Sequence, residues 1–199
     1  MPSGISRMNV LLLGPQGAGK GTQAKRIAFE YGIPHVSTGD MFRAAIAERS
    51  ELGQRVDAIL AAGELVPDEL TVALVSDRLS REDAANGFVL DGFPRTIAQA
   101  EALDAMLTEI ERSLSVVLEL QLDDEMCMER MLRRAALENR PDDTPEVVRR
   151  RLELYHRETE PLVDYYLASG KLIGIHAGRT VDEVFAEVQA AIEQVLERT

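Results

Sequence analysis

Nine consecutive residues, Gly14-Pro15-Gln16-Gly17-Ala18-Gly19-Lys20-Gly21-Thr22, carry the densest chemistry in the chain. They follow the apolar run 9–13 and precede a helical pattern, which is the setting a phosphate-binding loop requires. Glycines accept positive φ, so successive backbone N–H groups can point at one anion. The helix that follows adds the positive end of its dipole. Lys20 adds a mobile point charge suited to the β- and γ-phosphates. The general pattern has Ser or Thr directly after the lysine, whereas here Gly21 intervenes before Thr22. A Gly-rich turn with a chance lysine is the alternative. The strand before and the helix after favour a nucleoside triphosphate held by Gly17, Ala18, Gly19, Lys20, Gly21 and Thr22.

Asp91 is the second candidate. It ends the apolar run 88–91, where the carboxyl end of a strand would meet the phosphates of a doubly wound sheet. A carboxylate there can hold Mg²⁺ through water, with Thr22 a further candidate beside the metal and phosphate. Taken alone, an aspartate before a glycine is also a common turn residue. The third candidate is a run of arginines. The chain has 19 arginines and three lysines, and seven of the arginines (Arg130, Arg133, Arg134, Arg140, Arg149, Arg150, Arg151) fall in one short stretch with only four acids. Arg presents a planar donor fork suited to phosphate. A solvated helix face laced with i,i+4 pairs is the alternative, and composition does not separate the two.

These residues need positioning. Short strands are predicted at 9–13, 35–37, 88–91, 114–122 and 171–176, with helices near 20–31, 39–49, 52–62, 68–80, 97–110 and 123–137. Thr144-Pro145 and the capping box at Thr180-Val181-Asp182-Glu183 open two later helices. Pro161 is expected to kink the first of these. Alternating strands and helices imply an α/β fold, a parallel sheet covered on both faces. Two segments break the rhythm. Residues 37–66 hold two helical patterns with no strand between them, and residues 133–143 form a polar, Arg-rich connection. Excursions of this kind commonly carry function.

The 199 residues fit one domain with small insertions. A net charge of −12 argues against nucleic-acid binding as the main role. One cysteine excludes an intramolecular disulfide and any multi-cysteine zinc site. No apolar run approaches the roughly 20 residues of a membrane helix, and the first residues lack a secretory core, so a cytoplasmic protein is expected.

Several motifs together resemble the adenylate kinases, in the group of nucleoside monophosphate kinases. They are GPQGAGKGTQ from Gly14, STGDMFR from Ser37, GELVPD from Gly63 and LDGFPRTIAQA from Leu90, continued by ERMLRR, RPDDT, RRRLELYHRETEPL and GRTVDEV. The Gly21-Thr22 ending is what that family uses. The resemblance implies a P-loop NTPase-type, doubly wound, five-stranded parallel sheet with helices on both faces. Its core would comprise 1–36, 67–132 and 144–199, with a monophosphate-binding excursion at 37–66 and a short lid at 133–143.

The family's residue roles carry over as follows. Thr38 matches a position near the acceptor adenine, and Arg43 one on the acceptor phosphate. Glu64, Leu65 and Val66 match backbone beside that base. Gly92, Phe93, Pro94 and Arg95 would flank the same ligand, with Arg95 on its phosphate, and Gln99 would read the adenine edge. Arg130 resembles the arginine against the ATP adenine, and Arg179 a position beside the donor base. Arg134, Arg140 and Arg151 resemble arginines that close on the transferring phosphates. Arg149 and Arg150 are read as surface charges.

The implied activity is Mg²⁺-dependent transfer from ATP to AMP, giving two ADP, by a monomer with no nucleic-acid or membrane partner. The attacking phosphate is already an anion, so the absence of a convincing catalytic His, Cys or Glu is expected. Catalysis of phosphoryl transfer is mostly positioning and electrostatics. The lid carries Ala135-Ala136 where short-lid relatives often place glycines, so the preceding helix is expected to run further into it. Cys127, the methionines around it, and His35, His156 and His176 are read as structural. The rivals are a UMP or CMP kinase of the same fold, which would lack the matches at Thr38 and Gln99, and a nucleotide-binding regulatory module without turnover.

Overall fold

The computed structural model describes residues 7–138 and 144–198. Strands β1 (Met8–Leu13), β2 (His35–Ser37), β3 (Gly87–Asp91), β4 (Val116–Gln121) and β5 (Leu172–His176) form one parallel sheet in the order β2-β3-β1-β4-β5. All five lie where the apolar runs predicted them. β1 is central and buried along its whole length, which is why its sequence is continuously apolar rather than alternating.

Val10 and Leu12 face a cluster completed by Ile27 of α1 (Lys20–Tyr31) and by Val184 and Val188 of α9 (Val181–Leu196). Leu11 and Leu13 face the other way. They meet Val75 of α4 (Asp68–Leu79), Leu103 of α5 (Ile97–Glu109), and Leu162 and Tyr166 of α8 (Pro161–Ala168). The crossover after β1 therefore lies on one face and the crossover after β3 on the other. β1 and β3 are neighbours, with Leu12 opposite Asp91. Adjacent strands whose crossovers leave to opposite faces open a crevice at their carboxyl ends. The chemistry-bearing residues gather there.

The first irregular segment takes the predicted form. α2 (Thr38–Ala47) and α3 (Glu51–Ala61) follow β2 with no strand between them. Ser37 accepts from the Asp40 N–H at 3.2 Å and Ser50 from the Gly53 N–H at 3.1 Å, so each helix has a side-chain cap. The pair builds its own small apolar cluster from Phe42, Val56 and Val66, closed by Leu70 and Leu74 of α4.

α6 (Asp124–Glu138) and α7 (Pro145–Leu154) pack through Cys127, Met131, Val148 and Leu152, so the methionine-rich stretch is packing, as expected. α6 runs through Ala135 and Ala136 to Glu138, as the alanines predicted. Residues 139–143, with Arg140 among them, lie outside the described residues.

The bend foreseen at Pro161 is a π turn over Tyr155–Thr159. The Glu160 N–H reaches the Tyr155 carbonyl at 2.8 Å, a five-residue span, before α8 starts at Pro161. Proline lacks an N–H and its ring crowds the carbonyl four residues back, so the ladder must be reorganised there. Among the described residues no helix is long and apolar enough to cross a membrane.

Gly53 sits where α2 and α3 touch, and a Cβ there would overlap the Ala45 carbonyl. The variant Gly53→Ala should lose about 1–3 kcal/mol, the usual cost of overpacking, despite alanine's better helix propensity. Urea denaturation checks this, and a variant as stable as its parent would contradict the close helix contact.

Candidate active site

The loop after β1 is shaped by backbone crowding. Gly17 has φ 92°, and a Cβ on it would lie 2.6 Å from the Cys127 carbonyl, so the loop is pressed onto the first turns of α6. α1 opens at Gly19 with no side-chain cap, leaving its first N–H groups to other acceptors. Lys20 Nζ donates to the carbonyls of Gly14 at 2.6 Å and Pro15 at 2.8 Å. An ammonium has three donors, so one remains. Burial pulls the Lys20 pKa from 10.5 down to about 8, helped by Arg95 and Arg134 and opposed by Asp91.

Asp91 lies across this loop: a Cβ on Gly21 would be 3.4 Å from its Oδ2. Burial, the largest single influence, pushes the Asp91 pKa up. His35, Lys20 and Arg95 outweigh it, and the net result is a carboxyl held below its ordinary value. His35 Nε2 stands 3.6 Å from Oδ2. Among the described residues no group of three His, Cys, Asp or Glu could hold a metal ion. One ionised carboxylate facing a phosphate loop fits Mg²⁺, which keeps several waters and binds through one or two carboxylates plus substrate phosphates. It does not fit a metal held by protein ligands alone.

Beyond Asp91 the chain turns through Gly92, at φ 82°, where a Cβ would stand 2.8 Å from Thr38 Oγ1. The Gly92 carbonyl accepts from Thr38 Oγ1 and from Arg95 Nε, each at 2.8 Å. The Arg95 backbone is pinned as well. Its N–H donates to Gln99 Oε1 at 2.8 Å and its carbonyl accepts from Thr159 Oγ1 at 2.9 Å. Burial draws the Arg95 pKa down; Asp91 opposes this, while Arg151 and Arg43 add to it. Three guanidinium groups from α2, the β3–α5 loop and α7 are therefore close enough to repel. Arg43 is paired with Asp40 in its own helix.

These groups line a single cleft of about 1020 Å³. Lys20, Asp91 and the loop residues Gly17, Ala18, Gly19, Gly21 and Thr22 line its floor. Arg43, Arg95, Arg130, Arg134, Arg151 and Arg179 line it too, so six of the predicted arginines converge from five separate parts of the chain. Glu64, Leu65, Gly92 and Pro94 complete the predicted residues that reach it. Thr38, Val66, Phe93 and Gln99 do not line the cleft; each is 6% exposed or less.

Sequence reasoning missed some contacts. Arg150, read as a surface charge, donates through Nε to Glu64 at 2.8 Å, joining α7 to the excursion after β2. The partners are 86 residues apart, so no local pattern could show it. Thr159 and Asp68, which hold Arg95 and Gln99, were missed for the same reason.

Of the residues read as structural, His35 stands beside Asp91 and the others have partners elsewhere. His156 spans Asp124 and Glu160 at 2.9 Å each, and His176 faces Glu187 at 3.4 Å. Burial pushes the Cys127 thiol up to about 11, which leaves almost no thiolate near neutral pH.

Comparison with known proteins agrees with the sequence motifs. Residues 12–171 match the family model described as adenylate kinase. The chain is 51% identical over 188 residues to an adenylate kinase of Caulobacter vibrioides, covering 94% of this chain and 98% of that one. An adenylate kinase of Thermobifida fusca is 48% identical over 186 residues, covering 94% of this chain and 98% of that one. One of Shouchella clausii is 42% identical over 214 aligned residues, covering 94% and 99%. The loop, the sheet order and these matches over nearly the full length lead to one conclusion: the chain belongs to the adenylate kinase family.

Proposed function

We propose that the protein transfers the γ-phosphoryl group of Mg·ATP to AMP, reversibly, giving two ADP. The observation that carries this is the single cleft in which Lys20, Asp91, Arg43, Arg95, Arg134 and Arg151 face one another. Its floor is a triphosphate loop and its opposite wall is the α2–α3 excursion, so two nucleotides would enter from two ends. Its volume of about 1020 Å³ stands at the upper limit of the usual range for small-molecule sites.

On this reading Gly17, Ala18, Gly19, Gly21 and Thr22 cradle the donor phosphates. Lys20 exchanges its loop carbonyls for a phosphate oxygen. Arg43 and Arg95 orient the acceptor phosphate, and Arg95, locked at three backbone or side-chain contacts, needs little reorganisation to do so. Arg134, Arg151 and Arg140 stabilise charge on the transferring oxygens, the term on which this chemistry mainly rests. Asp91 and Thr22 would hold the waters of a Mg²⁺ ion, which would supply neutralisation of the phosphate charge. Arg130 and Arg179 border the donor base. The acceptor base would lie against Glu64 and Leu65, which line the cleft, and would meet Val66, Thr38 and Gln99 only once the wall that covers them shifts, with Phe93 and Pro94 shaping the turn beneath it. The segment 133–143 acts as a short lid and 37–66 as the acceptor arm. Their closure excludes water that would otherwise take the phosphoryl group.

The net charge of −12 favours a monomeric enzyme without a nucleic-acid partner, and a cytoplasmic location is part of the same proposal. A UMP or CMP kinase is disfavoured because Thr38 and Gln99 are both present. A regulatory module is disfavoured because every cation that transfer needs is retained.

Initial rates with AMP, CMP, UMP and GMP test the assignment. AMP should be strongly preferred, and Lys20→Met should lower kcat by about 10²–10³ or more. A preference for CMP or UMP would overturn the acceptor, and no transfer at all would overturn the activity. Binding should also move protons. Lys20 titrates at about 8, and a polyphosphate beside it raises that pKa, so binding above pH 8 takes protons up and weakens as pH rises. Calorimetry at pH 8.5 in buffers of different ionisation enthalpy should give roughly 0.7 proton taken up per ATP, and none in Lys20→Met. Finally, Ala135→Gly with Ala136→Gly should shorten α6 and raise kcat about two- to fivefold if lid opening limits turnover. An unchanged kcat would remove the alanines from the account.

A further inference from the structure

Gln99 is 2% exposed and its side-chain amide is held at both ends. Nε2 donates to Asp68 Oδ1 at 2.7 Å, and Oε1 accepts from the Arg95 N–H at 2.8 Å. The second oxygen of Asp68 accepts from Thr96 Oγ1 at 3.1 Å, while Thr96 Oγ1 accepts from the Gln99 N–H at 3.2 Å. The ring is closed, with one donor for each acceptor.

A glutamine's orientation is normally ambiguous, because its oxygen and nitrogen are interchangeable in shape. Here chemistry settles it. A backbone N–H can only donate and a carboxylate can only accept. A flipped amide would face its oxygen to the Asp68 carboxylate and its N–H groups to the Arg95 N–H. Both buried contacts would be repulsive and unsatisfied. In the orientation shown, one Nε2 hydrogen and one Oε1 lone pair remain, and a ligand reaches them when the cleft wall that now covers Gln99 shifts aside. Thr38 is oriented in the same sense: its hydroxyl hydrogen goes to the Gly92 carbonyl, so it can offer a ligand only a lone pair.

We propose that Asp68 is the positioning residue that sets acceptor-base specificity, by locking the Gln99 amide in the orientation that suits a 6-amino purine. Such a base presents a donor at its exocyclic nitrogen and an acceptor at ring N1, and the fixed amide matches both. A 6-oxo purine in the same pose presents the opposite pair and meets acceptor against acceptor at Thr38 as well. The proposal rests on the reading of Gln99 as the base-reading residue. Asp68 touches no substrate on this account and acts only through Gln99.

The test compares kcat/KM for AMP with that for its 6-oxo analogue IMP, which differs at the 6-position and N1 and carries no 2-amino group to add steric effects. Three proteins are needed: the parent, Asp68→Asn and Gln99→Ala. In Asp68→Asn the carboxamide can donate as well as accept, so one of the two contacts that oppose a flipped Gln99 is relieved and only the Arg95 N–H still opposes it. The IMP-to-AMP ratio of kcat/KM should rise about tenfold, through KM, with kcat at saturating AMP little changed. Gln99→Ala should also erode the preference. If Gln99→Ala shifts the ratio while Asp68→Asn keeps the parent's value, Asp68 does not set specificity and the proposal fails alone. If Gln99→Ala leaves the ratio unchanged, Gln99 does not read the base, and that underlying reading fails with it. Should Asp68→Asn fail to fold, Asp68→Ala, which removes the acceptor that orients Nε2, is the second variant, and an IMP-to-AMP ratio at the parent's value in it overturns the proposal.

Discussion

Two opposite charges stand half-buried at the ends of neighbouring strands, and the rest of the structure depends on keeping them there. Lys20 opens α1 just beyond β1, and Asp91 is the last residue of β3, one strand away. Burying an ion is costly unless it is paired and hydrogen-bonded. Lys20 meets this condition with two loop carbonyls, and Asp91 with the cations around it. The incomplete compensation shows in the lowered Lys20 pKa. A polyanion completes it, so the energy that burial costs the fold returns as affinity. The fold's part is to supply a rigid floor for that arrangement: a buried central strand, with crossovers that leave to opposite faces and keep the crevice open.

The cations above the floor are held to different degrees, and the difference follows the chemistry asked of them. Arg95 is fixed by Gly92, Gln99 and Thr159, which come from the β3–α5 loop, α5 and the π turn. The π turn exists because Pro161 interrupts the ladder, and it is the turn that brings Thr159 within reach of the Arg95 carbonyl. A residue first read as a mere kink thus lies behind one anchor of a cleft arginine. Arg134 and Arg151 approach from α6 and α7. A fixed cation on the β3–α5 loop and cations brought by separate helices let a cleft be preorganised and still open.

The sheet and the loop were legible in the sequence because their signals are local. A continuous apolar run marks a strand buried on both faces, glycines mark the backbone's closest approach, and Thr and Pro mark helix starts at Thr144 and Thr180. Burial depth was not legible. Thr38 and Gln99 carry the family's motif but lie behind the cleft wall, because each spends its polar group on a neighbour distant in sequence. Arg150 shows the same limit: in the run Arg149-Arg150-Arg151 nothing distinguishes the member that pairs with Glu64. Polar partners chosen by tertiary structure leave no periodic trace.

That pairing also bears on the movement we propose for the arm formed by α2 and α3. It has its own small core, so it can hold its shape while it shifts. Across the cleft, its contacts with α7 include the half-exposed Arg150–Glu64 pair, a bond from Arg151 Nη2 to the Leu60 carbonyl at 3.3 Å, and packing of Val147 against Gly63. Exposed ion pairs hold weakly, because water competes for both partners. An apolar seam of the same extent would hold the arm shut and retain product. A wet, charged contact specifies where the arm lands while adding little to the barrier for leaving, which is what a cycle of binding, transfer and release demands of a hinge.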